Sequence, residues 1–138
     1  MKLIIYTDGA SRGNPGPASY GFTIQDEKGR FLHERGEYIG TTTNNVAEYT
    51  AVLEALKLIK EKYAGKHLSQ IELYADSKLV AEQLSGRYKI KAKHLMPIIT
   101  QIQILAIELG GISFNHIPRS QNTMADGLAN QALDSQFS

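Results

Sequence analysis

The sequence predicts an α/β fold in which helices cover both faces of a five-stranded mixed sheet. Three apolar, strand-like runs follow one another closely in the first 40 residues, and later runs of the same kind alternate with segments of helical periodicity. Short connections make the first three strands an antiparallel meander, whereas the last two strands need helical crossovers. The predicted order is therefore β-β-β-α-β-α-α-β-α.

Apolar spacing and helix-capping residues define the individual elements. The predicted strands are Leu3–Asp8, Ser19–Asp26, Phe31–Gly40, Gln70–Asp76 and Ile112–Ile117. The first helix begins after Thr41–Asn45, which supplies N-cap side chains, and runs to about Tyr63. Further helices are predicted over Ser77–Leu84, over Leu95–Leu109 and from Asn122 onward.

Length and composition are those of an ordinary globular protein. The 138 residues, 42% of them hydrophobic, suffice for a single domain over residues 1–138, with a tail that frays from about Ser135. The sequence has no cysteine, which excludes disulfides and zinc–thiolate sites. No apolar run approaches the ~20 residues that span a bilayer, and no signal peptide is evident. We expect a soluble, cytoplasmic protein, by default a monomer.

The formal net charge is +1, so any nucleic-acid binding must depend on a local surface. The candidate surface is the segment GRYKIKAKH, residues 86–94, in which basic side chains alternate with apolar and aromatic ones. The same pattern is typical of a solvated connector between two helices, and the segment by itself favours neither interpretation.

Four carboxylates occupy unexpected positions. Asp8 and Asp76 end two predicted strands, at the edge where open α/β sheets place their ligands. Glu48 lies four residues before Val52 on the apolar stripe of the first helix, and Asp126 opens the last helix on its packed side. Each has an ordinary structural explanation, as a turn residue, a capping box or an acid at a helix N-terminus.

Brought together, these four carboxylates would repel one another strongly unless a cation lay between them. Oxygen ligands without cysteine favour Mg²⁺, with Mn²⁺ as a substitute, over zinc. Four shared carboxylates suit two ions about 4 Å apart, which activate a water and stabilise the leaving oxygen of a phosphodiester. The acids therefore indicate metal-assisted phosphodiester hydrolysis.

Four motifs carry a resemblance to a known family: YTDGASRGNPGPASYG, TTTNNVAEYTAVLEAL, LYADSKLV and HIPRSQNTMADGLANQAL. From Leu3 to Leu133 the chain resembles type 1 ribonuclease H (ribonuclease HI), in a short form without a basic protrusion or a hybrid-binding domain. The resemblance implies a ribonuclease H-like fold and an endonuclease that hydrolyses the RNA strand of RNA/DNA hybrids. It also implies two-metal-ion catalysis that leaves 5′-phosphate and 3′-hydroxyl ends.

The resemblance further implies roles for individual residues. The acidic tetrad of Asp8, Glu48, Asp76 and Asp126 would bind two Mg²⁺ ions, with Asp8 shared between them. The residues that would face the RNA minor groove, where the 2′-hydroxyl distinguishes RNA from DNA, are Ser11, Gly13, Asn14, Asn44 and Asn45. Thr43, with Asn45, would help to hold a DNA phosphate at a helix N-terminus.

His116 lies ten residues before Asp126, where the family often has a mobile histidine that assists proton transfer or product release. The alternative is a strand-end histidine with an ordinary hydrogen bond, because the following Ile117-Pro118 can stiffen the loop. Arg119 is a competing candidate for a phosphate-facing role.

Two features depart from the family pattern. Lys78 replaces the glutamine that commonly touches a base edge, which weakens the expectation of minor-groove contacts there. Residues 86–94 are too short for the extra basic helix of some members, so four basic side chains would replace it weakly: Arg87, Lys89, Lys91 and Lys93. We therefore expect modest affinity with strong salt dependence.

Besides hybrid cleavage, the sequence raises three other functions: nucleotide binding, broader nuclease activity and non-catalytic binding. The glycine-rich stretch after Asp8 matches neither a dinucleotide fingerprint nor a Walker loop. Two alternatives stay open: a broader nuclease that also cuts double-stranded RNA, and a non-catalytic hybrid-binding module. The module would be expected to lack at least one of the four carboxylates.

Overall fold

The structure, a computed structural model, describes residues 1–137. Within that range the strands are β1 (Lys2–Ser11), β2 (Gly16–Asp26), β3 (Phe31–Thr42), β4 (Gln70–Ala75) and β5 (Ser113–His116). The α-helices are α1 (Asn44–Tyr63), α2 (Lys78–Leu84), α3 (Met96–Glu108) and α4 (Thr123–Phe137). Short 3₁₀ turns cover Lys93–Leu95 and Arg119–Gln121.

The strands form a single sheet in the order β3-β2-β1-β4-β5. β1 pairs with β2, and β2 with β3, in antiparallel fashion, whereas β1 with β4 and β4 with β5 are parallel. This arrangement confirms the predicted five-stranded mixed sheet and places β1 at its centre.

Helices cover both faces of the sheet, as predicted. On one face, Leu3 and Ile5 of β1 belong to a core cluster with Val52, Leu56 and Ile59 of α1, and all five are fully buried. α3 packs against α1, and its Ile99 and Ile102 join the same core cluster. On the other face lies α4, whose inward side chains are small except for Leu133: Ala125, Ala129 and Leu133 are each fully buried.

Two glycines let the helices lie directly on the sheet. A Cβ atom at Gly9 of β1 would lie 2.5 Å from the backbone nitrogen of Glu48, so any side chain there would displace the first turns of α1. A Cβ atom at Gly21 of β2 would overlap the carbonyl oxygen of Ala125 in α4. Glycine within a strand commonly marks such a close backbone approach.

β1 is longer than the sequence predicts. It continues past Asp8 to Ser11, because β2 keeps pairing with it through Asp8↔Gly21 and on to Ser11↔Ala18. The parallel ladder with β4, in contrast, ends at Thr7↔Ala75. Asp8 is therefore not the end of a strand, but it does lie one residue beyond the end of the parallel ladder.

The C-terminal helix also extends beyond the expected position. α4 continues through Phe137, whereas we expected the tail to fray from about Ser135. The ring of Phe137 makes an edge-to-face contact with Tyr38 of β3, 5.8 Å between centroids, and Asp134 forms an ion pair with Arg12. These contacts give the last turn tertiary partners; residue 138 lies outside the described range.

Between α2 and the 3₁₀ turn at Lys93, residues 85–92 form an irregular connector that we call the basic loop. The backbone amides of Arg87 and Tyr88 donate hydrogen bonds to the carbonyl oxygen of Glu82, at 2.9 and 3.2 Å. As expected, this stretch forms no additional helix. None of the helices within residues 1–137 has both the length and the apolar character needed to cross a membrane.

Candidate active site

Three of the four predicted acidic residues meet at one end of the sheet. Asp8, Glu48 and Asp76 each place a carboxylate oxygen within 4.8 Å of the others. Asp8 is buried, with 3% of its surface exposed, and the other two are partly buried. The site therefore brings three acidic side chains close together in a place with limited access to solvent.

The sheet register explains how the acids meet. Asp8 and Asp76 each follow the last residue pair of the parallel ladder between β1 and β4, so they emerge side by side. Glu48 joins them from α1, because the missing side chain at Gly9 lets the first turns of that helix touch β1.

Asp126 borders this group without belonging to it. Its carboxyl lies near that of Asp8 and contributes to the raised pKa of Asp8. Asn130 donates a 3.1 Å hydrogen bond to Asp126 Oδ1, and the Arg119 guanidinium lies 3.6 Å from the same oxygen. The fourth predicted carboxylate therefore lies at the edge of the cluster, between Asp8 and two polar side chains.

Burial and repulsion by neighbouring carboxylates both oppose ionisation of Asp8 and Glu48. Burial raises the pKa of Asp8 far above its ordinary value, and repulsion by Glu48 and Asp76 raises it further. Burial also raises the pKa of Glu48, with Asp76 adding to the rise, while a hydrogen bond with Asp8, the Gly9 amide and Arg119 oppose it. Without a compensating positive charge, the folded protein disfavours the ionised forms of Asp8 and Glu48.

The donor set fits a hard divalent cation. Every candidate ligand is a carboxylate oxygen, and the sequence has no cysteine thiolate to favour a softer metal. In addition, Glu48 Oε2 is buried and has no hydrogen-bond partner among residues 1–137. A cation between the carboxylates would satisfy that oxygen and would reverse the upward pKa shifts.

Asn122 is a site residue that sequence reasoning assigned only to the start of a helix. It is 1% exposed, and its Nδ2 donates hydrogen bonds to Thr7 O at 2.9 Å and Asp76 Oδ2 at 3.0 Å. It therefore joins the end of β1 to a carboxylate after β4. These partners lie 115 and 46 residues away along the chain, so no local sequence signal indicates them.

The predicted substrate-facing residues form one surface beside the carboxylates. In the β1–β2 connection, Ser11 Oγ donates to Gly13 O, and Gly13 has a φ of 113°, which favours glycine. Asn14 Oδ1 accepts a 3.1 Å hydrogen bond from the amide of Asn44, so the connection touches the start of α1. Thr43 caps that helix by accepting from Val46 N.

A groove of about 610 Å³ extends this surface away from the carboxylates. Exposed Asn45 lies on one side, and the basic side chains of Arg87, Lys89 and Lys91 line the other. The groove therefore places the basic loop opposite the N-terminal turn of α1.

His116 and Arg119 occupy different surroundings. His116 is exposed at the end of β5 and is paired with Ala75 in the sheet. Arg119, although exposed, contacts Asp126 and lowers the pKa of Glu48. The carboxylates are thus electrostatically coupled to the arginine.

Comparison with known proteins gives concordant matches. A protein-family model described as reverse transcriptase-like matches residues 6–132. Ribonuclease HI of Halobacterium salinarum is 42% identical over 133 residues, which cover 96% of this chain and 65% of that protein. The bifunctional protein Rv2228c of Mycobacterium tuberculosis is 42% identical over 135 residues, or 97% of this chain and 36% of the relative.

The chain therefore spans about a third of the mycobacterial relative and somewhat less than two thirds of the Halobacterium one. Among solved structures, LC11-RNase H1 in complex with an RNA/DNA hybrid matches with a TM-score of 0.95 and 44% identity, covering 99% of each chain. The similarity to that structure thus extends over the whole fold.

Proposed function

This chain belongs to the ribonuclease HI family, and on that premise we propose that it hydrolyses the RNA strand of RNA/DNA hybrids, leaving 5′-phosphate and 3′-hydroxyl ends. The observation that carries the proposal is the group of three carboxylates within 4.8 Å of one another, beside a polar surface built from the β1–β2 connection and the start of α1.

Asp8, Glu48 and Asp76 would hold divalent cations, with Asp126 completing the ligand set from the edge of the site. Mg²⁺, two ions per site, suits these ligands, and Mn²⁺ is the expected substitute. When bound, such ions lower the pKa of a water and stabilise charge on the scissile phosphate. The protein contributes the spacing: β1, β4 and α1 place the carboxylates before substrate arrives.

Recognition of the RNA strand would come from Ser11, Gly13 and Asn14, together with Asn44 and Asn45. The hydrogen bond from the Asn44 amide to Asn14 holds the two segments together, so they can contact adjacent riboses. Small and amide side chains suit this role, since they allow close approach and can hydrogen-bond the 2′-hydroxyl.

The DNA strand would lie along the groove. Thr43 and Asn45 at the α1 N-terminus offer hydrogen-bond donors to a phosphate, and the basic loop offers cations on the opposite side. Because the loop contains few charges and no helix, this grip should be weak and sensitive to salt.

His116 would assist proton transfer or product release, with Arg119 as the competing residue. The contact of Arg119 with Asp126 favours the arginine for phosphate binding at the carboxylates. His116→Ala and Arg119→Ala, compared under single-turnover and steady-state conditions, separate a chemical role from product release.

The test is cleavage of labelled RNA/DNA, RNA/RNA and DNA/DNA duplexes with and without Mg²⁺. We expect cutting of the hybrid's RNA strand that requires the ion and is lost in Asp8→Asn and Asp76→Asn. Substantial RNA/RNA cleavage would favour the broader nuclease, and hybrid binding without cleavage in Mg²⁺ or Mn²⁺ would favour the binding module.

Two glutamates on α1 provide a matched pair for the same assay. Glu48→Gln removes a cluster carboxylate, so we expect at least a ~100-fold loss of kcat. Glu54→Gln removes an acid of the same helix that pairs with Lys57 at 3.7 Å, away from the cluster, and should retain wild-type activity. Equal activity of the two variants would contradict the assignment.

A further inference from the structure

A buried polar contact joins α1 to α2 beside the groove. Tyr49 is fully buried in the core cluster, whereas Gln83 is 7% exposed and is one of the residues that line the groove, as is Leu95. The Tyr49 hydroxyl donates a hydrogen bond to Gln83 Oε1. Burial of a primary amide lowers stability unless its polar atoms are hydrogen-bonded. The reason for a glutamine at position 83 is therefore not packing alone.

The other end of the Gln83 amide supplies that reason. Its Nε2 donates a 3.3 Å hydrogen bond to the backbone carbonyl of Lys89, in the middle of the basic loop. The Arg87 side chain also fastens the loop, through an ion pair with Glu82, but this pair lies at the surface with the Arg87 side chain 59% exposed. The pair is bidentate, a geometry in which a surface pair can contribute, but because it is exposed its contribution falls as salt is added.

The contact begins next to the proposed catalytic residues. Tyr49 follows Glu48 directly and lies one helical turn after Asn45, which lines the groove. Two hydrogen bonds therefore link the α1 turn that carries Glu48 to the backbone of the opposite, basic wall.

We infer that Tyr49 and Gln83 are positioning residues that hold the basic loop at a fixed distance from the N-terminal turn of α1. In this way they preform the groove for the DNA strand, an inference that rests on the proposed function. A loop with no helix of its own would otherwise lose conformational freedom when it binds, and that loss weakens affinity. Hydrogen bonds from the core that order the loop in the free protein reduce this loss of freedom on binding.

Tyr49→Phe tests the inference with minimal change of shape, since it removes one hydroxyl and keeps the ring. We expect KM for an RNA/DNA hybrid to rise about 5- to 10-fold, as for one lost buried hydrogen bond, with kcat within about twofold of wild type. The slope of log KM against log salt concentration should fall by about 0.9, which is the contribution of one phosphate contact. Gln83→Met should give the same split, and the double variant should be no worse than either single variant.

Tyr63→Phe is the matched control. Tyr63 is a buried tyrosine on the same helix, and its hydroxyl lies 3.1 Å from His33 Nε2, at the end of α1 far from the groove. This variant should keep the wild-type KM and salt slope. If Tyr63→Phe raised KM as much as Tyr49→Phe does, general loosening of α1 would explain the effect and the inference would be overturned.

A second measurement needs no substrate. Backbone hydrogen exchange within residues 87–92 should be faster in Tyr49→Phe than in wild type, and unchanged in Tyr63→Phe. Wild-type protein that does not cut hybrid would refute the proposed function, whereas active protein with an unchanged KM in Tyr49→Phe would refute only the positioning role. A fall in kcat at constant KM would assign Tyr49 to the support of Glu48 and would also refute that role.

Discussion

At the residue scale, the fold holds the Asp8 carboxyl in surroundings that disfavour its ionised form, although a metal ligand must be ionised. An aspartate with 3% exposure and two neighbouring acids is disfavoured as an anion, yet a cation ligand must be one. The strand register leaves it no alternative position, because Asp8 is held between β2 and the end of the β4 ladder. Bound cations would convert this unfavourable arrangement into a favourable one.

The raised carboxyl pKa values predict how stability depends on pH in the metal-free protein. A folded-state pKa above the unfolded value of about 4 means that the folded state retains protons that the unfolded state releases. The free energy of unfolding should therefore fall as the pH rises from about 4 to the folded-state pKa, which is about 7 for Glu48 and about 10 for Asp8, by up to ~1.4 kcal/mol per pH unit for each carboxyl.

Urea denaturation in EDTA at pH 5, 6.5 and 8 measures this slope. Asp8→Asn should reduce the slope by the contribution of one carboxyl, up to ~1.4 kcal/mol per pH unit, and should raise stability at pH 8. A variant with the same slope as wild type would show that the Asp8 carboxyl ionises normally in the folded protein.

Asn122 leads to a prediction about activity. Asn122→Ala leaves Asp76 Oδ2 and Thr7 O without their donor, so the Asp76 carboxylate loses its orientation. Loss of a residue that orients a metal ligand commonly reduces activity or metal affinity about 10- to 100-fold, and we expect a loss in that range. Asn115→Ala is the control. Asn115 lies in β5, and its side-chain amide also donates a hydrogen bond to a strand carbonyl, that of Leu73. Equal effects would indicate general damage to the sheet.

At the element scale, the position of α4 depends on the glycines beneath it. Gly21→Ala should force the helix away from β2, with a loss of about 1 to 3 kcal/mol in the free energy of unfolding and a fall in activity as Asp126 moves. Gly127→Ala, on α4 itself, meets no atom within 4 Å and should stabilise the helix by about 0.5 to 1 kcal/mol. Chemical denaturation of both variants tests the pair, and a neutral Gly21→Ala would contradict the close approach.

At the same scale, local sequence patterns predict some features of the site and not others. Asp8, Glu48 and Asp76 could be predicted to meet, because the apolar run before each aspartate and the apolar stripe of α1 are local signals, although β1 itself does not end at Asp8. The extension of β1 to Ser11 could not, since its glycine and serine residues are typical of loops and only pairing with β2 makes them a strand. Tertiary hydrogen bonds also placed Asn122 and Gln83, whose local sequence indicated nothing beyond helices.

At the scale of the whole molecule, cation binding should be coupled to folding. A ligand that binds only the folded state at 100 times its Kd adds about 2.7 kcal/mol of stability. We therefore expect saturating MgCl₂ to raise the Tm by several degrees at pH 8, as measured by differential scanning calorimetry. Asp8→Asn combined with Glu48→Gln should remove this shift, and a shift of unchanged size would place the bound ion elsewhere.

The close approach of the helices has a consequence for selection experiments. Consider a library randomised at positions 9 and 21 and sorted first for soluble, folded protein. Alanine could survive there wherever a helix can move aside and repack, but a second sort for hybrid cleavage should recover glycine at both positions. The difference between the two sorts would show how much of the site's spacing depends on the absence of side chains at positions 9 and 21.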